Sequence, residues 1–219
     1  MMKLKQLAWL APALLLLLRL PAAADPILFQ GTFATDDQVA LFNLVVNSTE
    51  LVTIQSYGYA GGTVGLDTIA AGGFAPNATL FDPTGNEIIA DAGGHCGTTG
   101  ADPDTLNCDD PYIQETLTAG TYTLALTEYD NLSTDGFLAD GFTQTGNPGF
   151  TCAEFGGTGN FCDVTTALGS QRTGDFALTF TGADSVSTPG STVPEPSTLA
   201  LLAGAGLLAA TLRRRWRVV

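Results

Sequence analysis

Between Thr121 and Tyr129 the chain alternates at a period of two. Tyr122, Leu124 and Leu126 fall on one side, and Thr123, Ala125 and Thr127 on the other. Such a run cannot bury a face as a helix, whose side chains repeat every 3.6 residues, but it buries one face of a strand. The pattern recurs at Ile27–Phe33, Gln38–Val46, Glu50–Tyr59, Ala78–Phe81, Glu87–Ala90, Ile113–Leu117 and Phe176–Phe180. Between these runs lie turn-forming strings such as Asp82-Pro83-Thr84-Gly85-Asn86 and Ala119-Gly120. Their Asp, Pro, Gly and Asn residues supply the dihedrals and local hydrogen bonds that reverse a chain. About eight short strands at this spacing predict an all-β fold, a single β-sandwich, with no helix between the two ends of the chain.

Those two ends have a different composition. Residues 1–24 have a basic start (Lys3, Lys5), a leucine-rich stretch and Ala22-Ala23-Ala24, the form of a secretory signal peptide cleaved between Ala24 and Asp25. At the other end Val193-Pro194-Glu195-Pro196-Ser197-Thr198 leads into an uncharged run, 197–212, and then a basic tail, 213–219, opened by Arg213-Arg214-Arg215. Sixteen residues from Ser197 to Leu212 make a helix about 24 Å long, a short transmembrane span that snorkelling arginines extend. Arginine marks the cytoplasmic side, so the body of the protein is expected outside the inner membrane. Pro194 and Pro196 hold the peptide extended just beyond the span, accessible to a processing enzyme.

This tripartite tail resembles the PEP-CTERM sorting signal of Gram-negative bacteria. The resemblance implies export, transient anchoring in the inner membrane, and recognition of Val193, Pro194, Glu195 and Pro196 by exosortase, a membrane-embedded thiol peptidase. Signal peptidase is the partner expected at the N-terminus. The implied destination is the cell surface or the extracellular matrix, with exopolysaccharide a possible partner there. The body carries further familiar phrases, F-Q-G-T-F-A-T-D-D-Q-V-A-L-F-N-L, G-G-F-A-P-N-A-T-L-F-D-P-T-G and A-G-T-Y-T-L-A-L-T-E-Y-D-N. They resemble exported PEP-CTERM proteins whose β-domain is similar to pre-peptidase C-terminal (PPC) domains. That likeness implies a jelly-roll-like sandwich without known catalytic activity. The expected organisation is a signal peptide (1–24), a β-domain (25–183), a Ser/Thr/Pro/Gly linker (184–192) and the sorting signal (193–219).

Charge narrows the choice of partners. Of the eight Lys and Arg in the chain, Arg172 alone lies between Asp25 and Val193, against 21 acids, a formal net charge of −20. Nucleic acid is excluded as a partner, because binding a polyanion needs a basic patch. The four cysteines, Cys96, Cys108, Cys152 and Cys162, are an even number in an exported chain and read as two disulfides. Three connectivities are open; the local pairs 96–108 and 152–162 each staple one Gly/Asp-rich loop and are the expected ones. Zinc on His95 and these cysteines is disfavoured by the lack of C-x-x-C spacing.

Catalysis has little to work with. A Ser/His/acid triad needs a histidine, and His95 is the sole histidine, expected on an exposed loop. Two acids suffice for glycoside hydrolysis, yet acids are so abundant here that their presence discriminates nothing. The expectation is a non-enzymatic envelope or matrix protein, with a calcium- or exopolysaccharide-binding module as the alternative and a secreted hydrolase behind it. For calcium, Asp102, Asp104, Asn107, Asp109 and Asp110 pack oxygen donors beside Cys108; the string departs from an EF-hand loop, and a solvated acidic turn competes with it. Thr35-Asp36-Asp37 and Tyr129-Asp130-Asn131 are secondary candidates, implied by the PPC likeness. For sugar, Tyr57, Tyr59, Phe74 and Phe142 are candidates for a stacking platform. Asn47, Asn77 and Asn131 head glycan-acceptor triplets and are read as turns.

Overall fold

The computed structural model describes residues 25–166 and 169–189. Eleven strands occur among them: β1 (Ile27–Thr32), β2 (Val39–Val46), β3 (Glu50–Ser56), β4 (Gly62–Val64), β5 (Asp67–Ile69), β6 (Pro76–Phe81), β7 (Glu87–Asp91), β8 (Tyr112–Leu117), β9 (Gly120–Glu128), β10 (Asp175–Thr181) and β11 (Ser185–Ser187). Two four-residue helical turns, α1 (Cys96–Thr99) and α2 (Phe150–Ala153), and a 3-10 turn at Leu138–Asp140 lie in the loops. They are too short to carry an amphipathic period, which is why the sequence pattern did not predict them.

The strands form two antiparallel sheets. One runs β1-β10-β3-β8, the other β11-β2-β9-β6-β7, and β4 pairs with β5 as a separate hairpin. β9 sits at the centre of the larger sheet, Phe42 of β2 opposite its Leu124 and Leu80 of β6 opposite the same residue. Val52, Ile54, Ile113, Leu178 and Phe180 of the first sheet share one buried cluster with Phe42, Leu44, Leu80, Leu124 and Leu126 of the second. The two sheets therefore bury their apolar faces against each other, as the alternation requires.

One expectation needs correction, and one element was not expected. The stretch predicted as a linker from residue 184 contains β11, which pairs with β2 (Val186 opposite Leu44) and buries Val186 in the core. Ser-Val-Ser reads as linker by composition, but a short strand needs only one inward side chain to dock. The hairpin β4–β5 was not predicted, because its glycines and three-residue strands carry no alternation.

At one end of the sheets the loops close tightly around backbone. A Cβ on Gly73 would meet the carbonyl oxygen of Asp175 at 2.2 Å, so no larger residue fits. That approach allows Thr173 N–H to donate to Gly72 O at 2.9 Å and fixes the entry into β10. Arg172 is presented from this segment, its own N–H bonded to Phe161 O.

Candidate functional site

Arg172 is buried, and a lone buried cation must find anions or leave an uncompensated charge. Its Nη2 donates to Asp102 Oδ2 at 3.0 Å and to Tyr59 O at 3.3 Å, while Nε donates to Gly73 O at 3.0 Å. Asp163 Oδ2 lies 3.7 Å from Nε, and the guanidinium carbon stands 3.9 Å over the Tyr59 ring. The Tyr59 hydroxyl donates to Asp163 Oδ2 at 2.8 Å. One planar fork thus ties together four loop segments that are remote in sequence.

The buried acids around it are held by unequal means. Burial pulls the Asp102 carboxyl upward, but Arg172 and the donors of Thr105 outweigh it and hold it below the ordinary carboxylate range. Asp36 accepts from Gly149 N–H at 2.6 Å and from Thr151 through both N–H and hydroxyl. Asp110 accepts from the Ser56 hydroxyl at 2.6 Å and from Tyr59 and Ala60 N–H; burial nevertheless pushes its carboxyl up. Glu128 differs from all of these. It is 1 % exposed, and neither carboxylate oxygen has a hydrogen-bond partner. Burial pushes its carboxyl well above the ordinary range; Asp36 and then Asp163 add repulsion, and Arg172 offsets part of it.

The structure disperses the five oxygen donors predicted for calcium. Asp102 turns to Arg172, Asp104 is exposed, and Asn107 Nδ2 donates to Thr165 O. Asp109 takes the Thr165 hydroxyl at 2.7 Å, and Asp110 faces Ser56. Among the described residues no group of three or more His, Cys, Asp or Glu side chains is arranged to hold a metal ion. Asp102, Asp109 and Asp110 thus serve as acceptors for Arg172, Thr165 and Ser56, each with a different partner. The two secondary strings, by contrast, do meet: Asn131 Nδ2 donates to Asp37 O at 3.1 Å across the end of β2 and β9.

Other candidates fall into place as follows. The disulfides are local, Cys96–Cys108 and Cys152–Cys162. His95 is half-buried rather than exposed, its Nε2 2.7 Å from Asp91 Oδ2. Tyr59 and Phe74 are in the interior and unavailable to stack on a sugar, and Tyr57 and Phe142 are half-buried. Asn47 lies in a turn as expected, but Asn77 is buried within β6. Asp25, the expected mature N-terminus, is exposed at the start of the described residues. Ala24, Val193, Pro194, Glu195, Pro196, the span 197–212 and the basic tail lie outside the described residues. Among the described residues no helix is long and apolar enough to cross a membrane.

Sequence reasoning missed Arg172 and Glu128. Each carried a signal: Arg172 is the sole cation of the body, and Glu128 is a charge in the apolar phase of β9.

Comparison with known families identifies the tail. Residues 192–215 match the PEP-CTERM protein-sorting motif. That motif implies export across the membrane and sorting by exosortase. No curated protein matches the chain.

Proposed function

We propose that this chain is an exported, non-enzymatic β-domain protein, held in the inner membrane by residues 197–212 until exosortase cuts near Pro196 and releases the body to the cell surface or extracellular matrix. The observation that carries the reading is the sorting-motif match at 192–215, beginning five residues after the last described strand ends at Ser187. A disulfide-stapled sandwich followed at once by a sorting signal is the order expected of a passenger that folds outside the cytoplasm. The signal peptide ending at Ala24 completes the export route. The antiparallel pairing of both sheets supports the jelly-roll-like, PPC-like assignment of the body. A passenger role fits the chemistry on view: all four cysteines are in disulfides, and the sole histidine pairs with Asp91.

Intact-mass spectrometry of the surface protein tests this reading. The expected mass corresponds to a chain from Asp25 to about Pro196, and cells lacking exosortase should retain the longer membrane-bound form. A surface protein still ending at Val219 would overturn it.

A further inference from the structure

Between Arg19 and Arg213 the chain carries a single Lys or Arg, Arg172. A protease that cleaves after basic residues therefore has one bond to attack in the body, Arg172–Thr173. The fold hides it. The Arg172 side chain is 5 % exposed, its N–H donates to Phe161 O, its carbonyl accepts from Gln171 Nε2 at 2.9 Å, and Thr173 N–H donates to Gly72 O. Proteolysis needs a locally opened segment, so these backbone bonds must break before the bond is cut.

The anion that keeps Arg172 inside comes from a loop. Asp102 is its closest carboxylate, and it lies midway between Cys96 and Cys108. Asp102 N–H donates to Asn107 O, and Asp102 Oδ1 accepts from Thr105 N–H and hydroxyl, so a turn inside the stapled loop aims the carboxylate. The remaining acceptors of Arg172 are the neutral carbonyls of Tyr59 and Gly73. Asp163, beside Cys162, stands 3.7 Å from Nε, beyond hydrogen-bond reach. Each disulfide thus staples one of the two acids, but the two differ in access. Cys96 is exposed and flanked by exposed Gly97 and Thr98, whereas Cys152 is fully buried and Cys162 half-buried. A thiolate reaches the more accessible disulfide first, and exposed disulfides are the labile ones.

We propose that Arg172–Thr173 is a cryptic cleavage site for a trypsin-class protease, and that the Cys96–Cys108 disulfide is the latch that covers it. The latch opens by exchange with a dithiol. One thiolate of the dithiol attacks Cys96 Sγ, and Cys108 leaves as a thiolate; the second thiol, as its thiolate, then displaces Cys96. The reductant ends as a disulfide, and its two electrons and two protons end on Cys96 and Cys108. Residues 97–107 are then free to leave Arg172, and Asp102 goes with them. A buried cation that has lost its anion is driven towards water and takes the segment around it along. The sandwich itself stays closed, because its core cluster contains neither Arg172 nor Asp102. The proposal is separate from the sorting reading and stands or falls without it.

The test is limited trypsin digestion of the full chain in mild detergent, with and without a dithiol, mapped by mass spectrometry and paired with iodoacetamide labelling of freed thiols. The nearest other sites are Arg19 and Arg213, so a cut within the body gives fragments that end at 172 or begin at 173. The oxidised chain should stay uncut there. Under reduction that labels only Cys96 and Cys108, cleavage at 172 should quicken about tenfold or more, with the far-ultraviolet sheet signal kept before protease is added. The double variant Cys96→Ser, Cys108→Ser should be cut at 172 without reductant. Equal cleavage before and after reduction would overturn the proposal, as would an uncut chain whose Cys96 and Cys108 are labelled. Cleavage that begins only when Cys152 and Cys162 are labelled, or when the sheet signal is lost, would equally overturn it by assigning the exposure to general unfolding. Should the double variant fail to fold, the wild-type label and fragment maps decide alone.

Discussion

Asp82 shows how one side chain closes a turn. Its Oδ1 accepts from Thr84 N–H at 2.8 Å, the Thr84 hydroxyl at 2.7 Å and Asn86 N–H at 2.9 Å. These donors, the Thr84 hydroxyl first, hold its carboxyl down to about 2. A carboxyl lowered in the folded state adds stability that is present above its unfolded value near 3.9 and is lost as pH falls through the folded value. Carbon-detected NMR should therefore find Asp82 titrating near pH 2, and Asp82→Ala should shed stability at neutral pH but converge on the wild type below pH 2. A titration near 4 would count against this geometry. Arg172 is the opposite case, a cation whose removal strands its partners. Arg172→Met should cost about 3–5 kcal/mol in urea unfolding, because Asp102 then keeps its burial without its charge partner. A loss below about 1 kcal/mol would mean that water reaches Asp102.

At the scale of elements, alternation predicted every long strand but not every strand. Val39–Val46 and Gly120–Glu128 were visible because one face meets the core and the other does not. β6 has all six residues buried, so its two-residue rhythm is lost and only its end beyond Asn77 was predicted. β11 was invisible for the reason already given, and its contribution is measurable. Val186 is 6 % exposed within the core cluster, and fully burying such a side chain contributes about 1.5–3 kcal/mol. Val186→Asp should therefore lower stability by about 2 kcal/mol or more and release β11 from β2, read as loss of amide protection at residues 185–187. Unchanged protection would show that the strand is held by its backbone alone. The candidate site was less legible than the sheets for a physical reason. Its members come from the β1–β2 turn, the end of β9, the 96–110 loop and the approach to β10, and adjacency in sequence cannot reveal that convergence. The Asp102–Asp110 string drew the metal expectation because its acids are neighbours in sequence; the fold points them at different partners.

For the whole molecule, the distance between body and sorting motif matters most. Folded structure runs to Ser187, and Val193 opens the Pro motif, leaving residues 188–192 between them. Five residues reach at most about 17 Å when fully extended. On the proposed sorting reading, a body with a formal charge of −20 is tethered before cleavage at most that far from the membrane enzyme and from anionic lipid. Charge repulsion fades over about 8 Å at physiological salt, so the present spacing holds the body near the outer limit of that field. Deleting Pro189, Gly190 and Ser191 spares Thr188 and the matched motif but cuts the reach to about 7 Å. The folded body would then collide with the enzyme and sit within about one screening length of the charged surface, so the precursor should accumulate in pulse-chase experiments several-fold over wild type. Inserting five Gly/Ser residues after Pro189 lengthens the tether without adding charge and should leave processing unchanged, because a longer flexible linker costs little. Equal processing of the deletion and the wild type would show that exosortase reaches its peptide without clearance from the folded body, and that this linker serves only to join two parts.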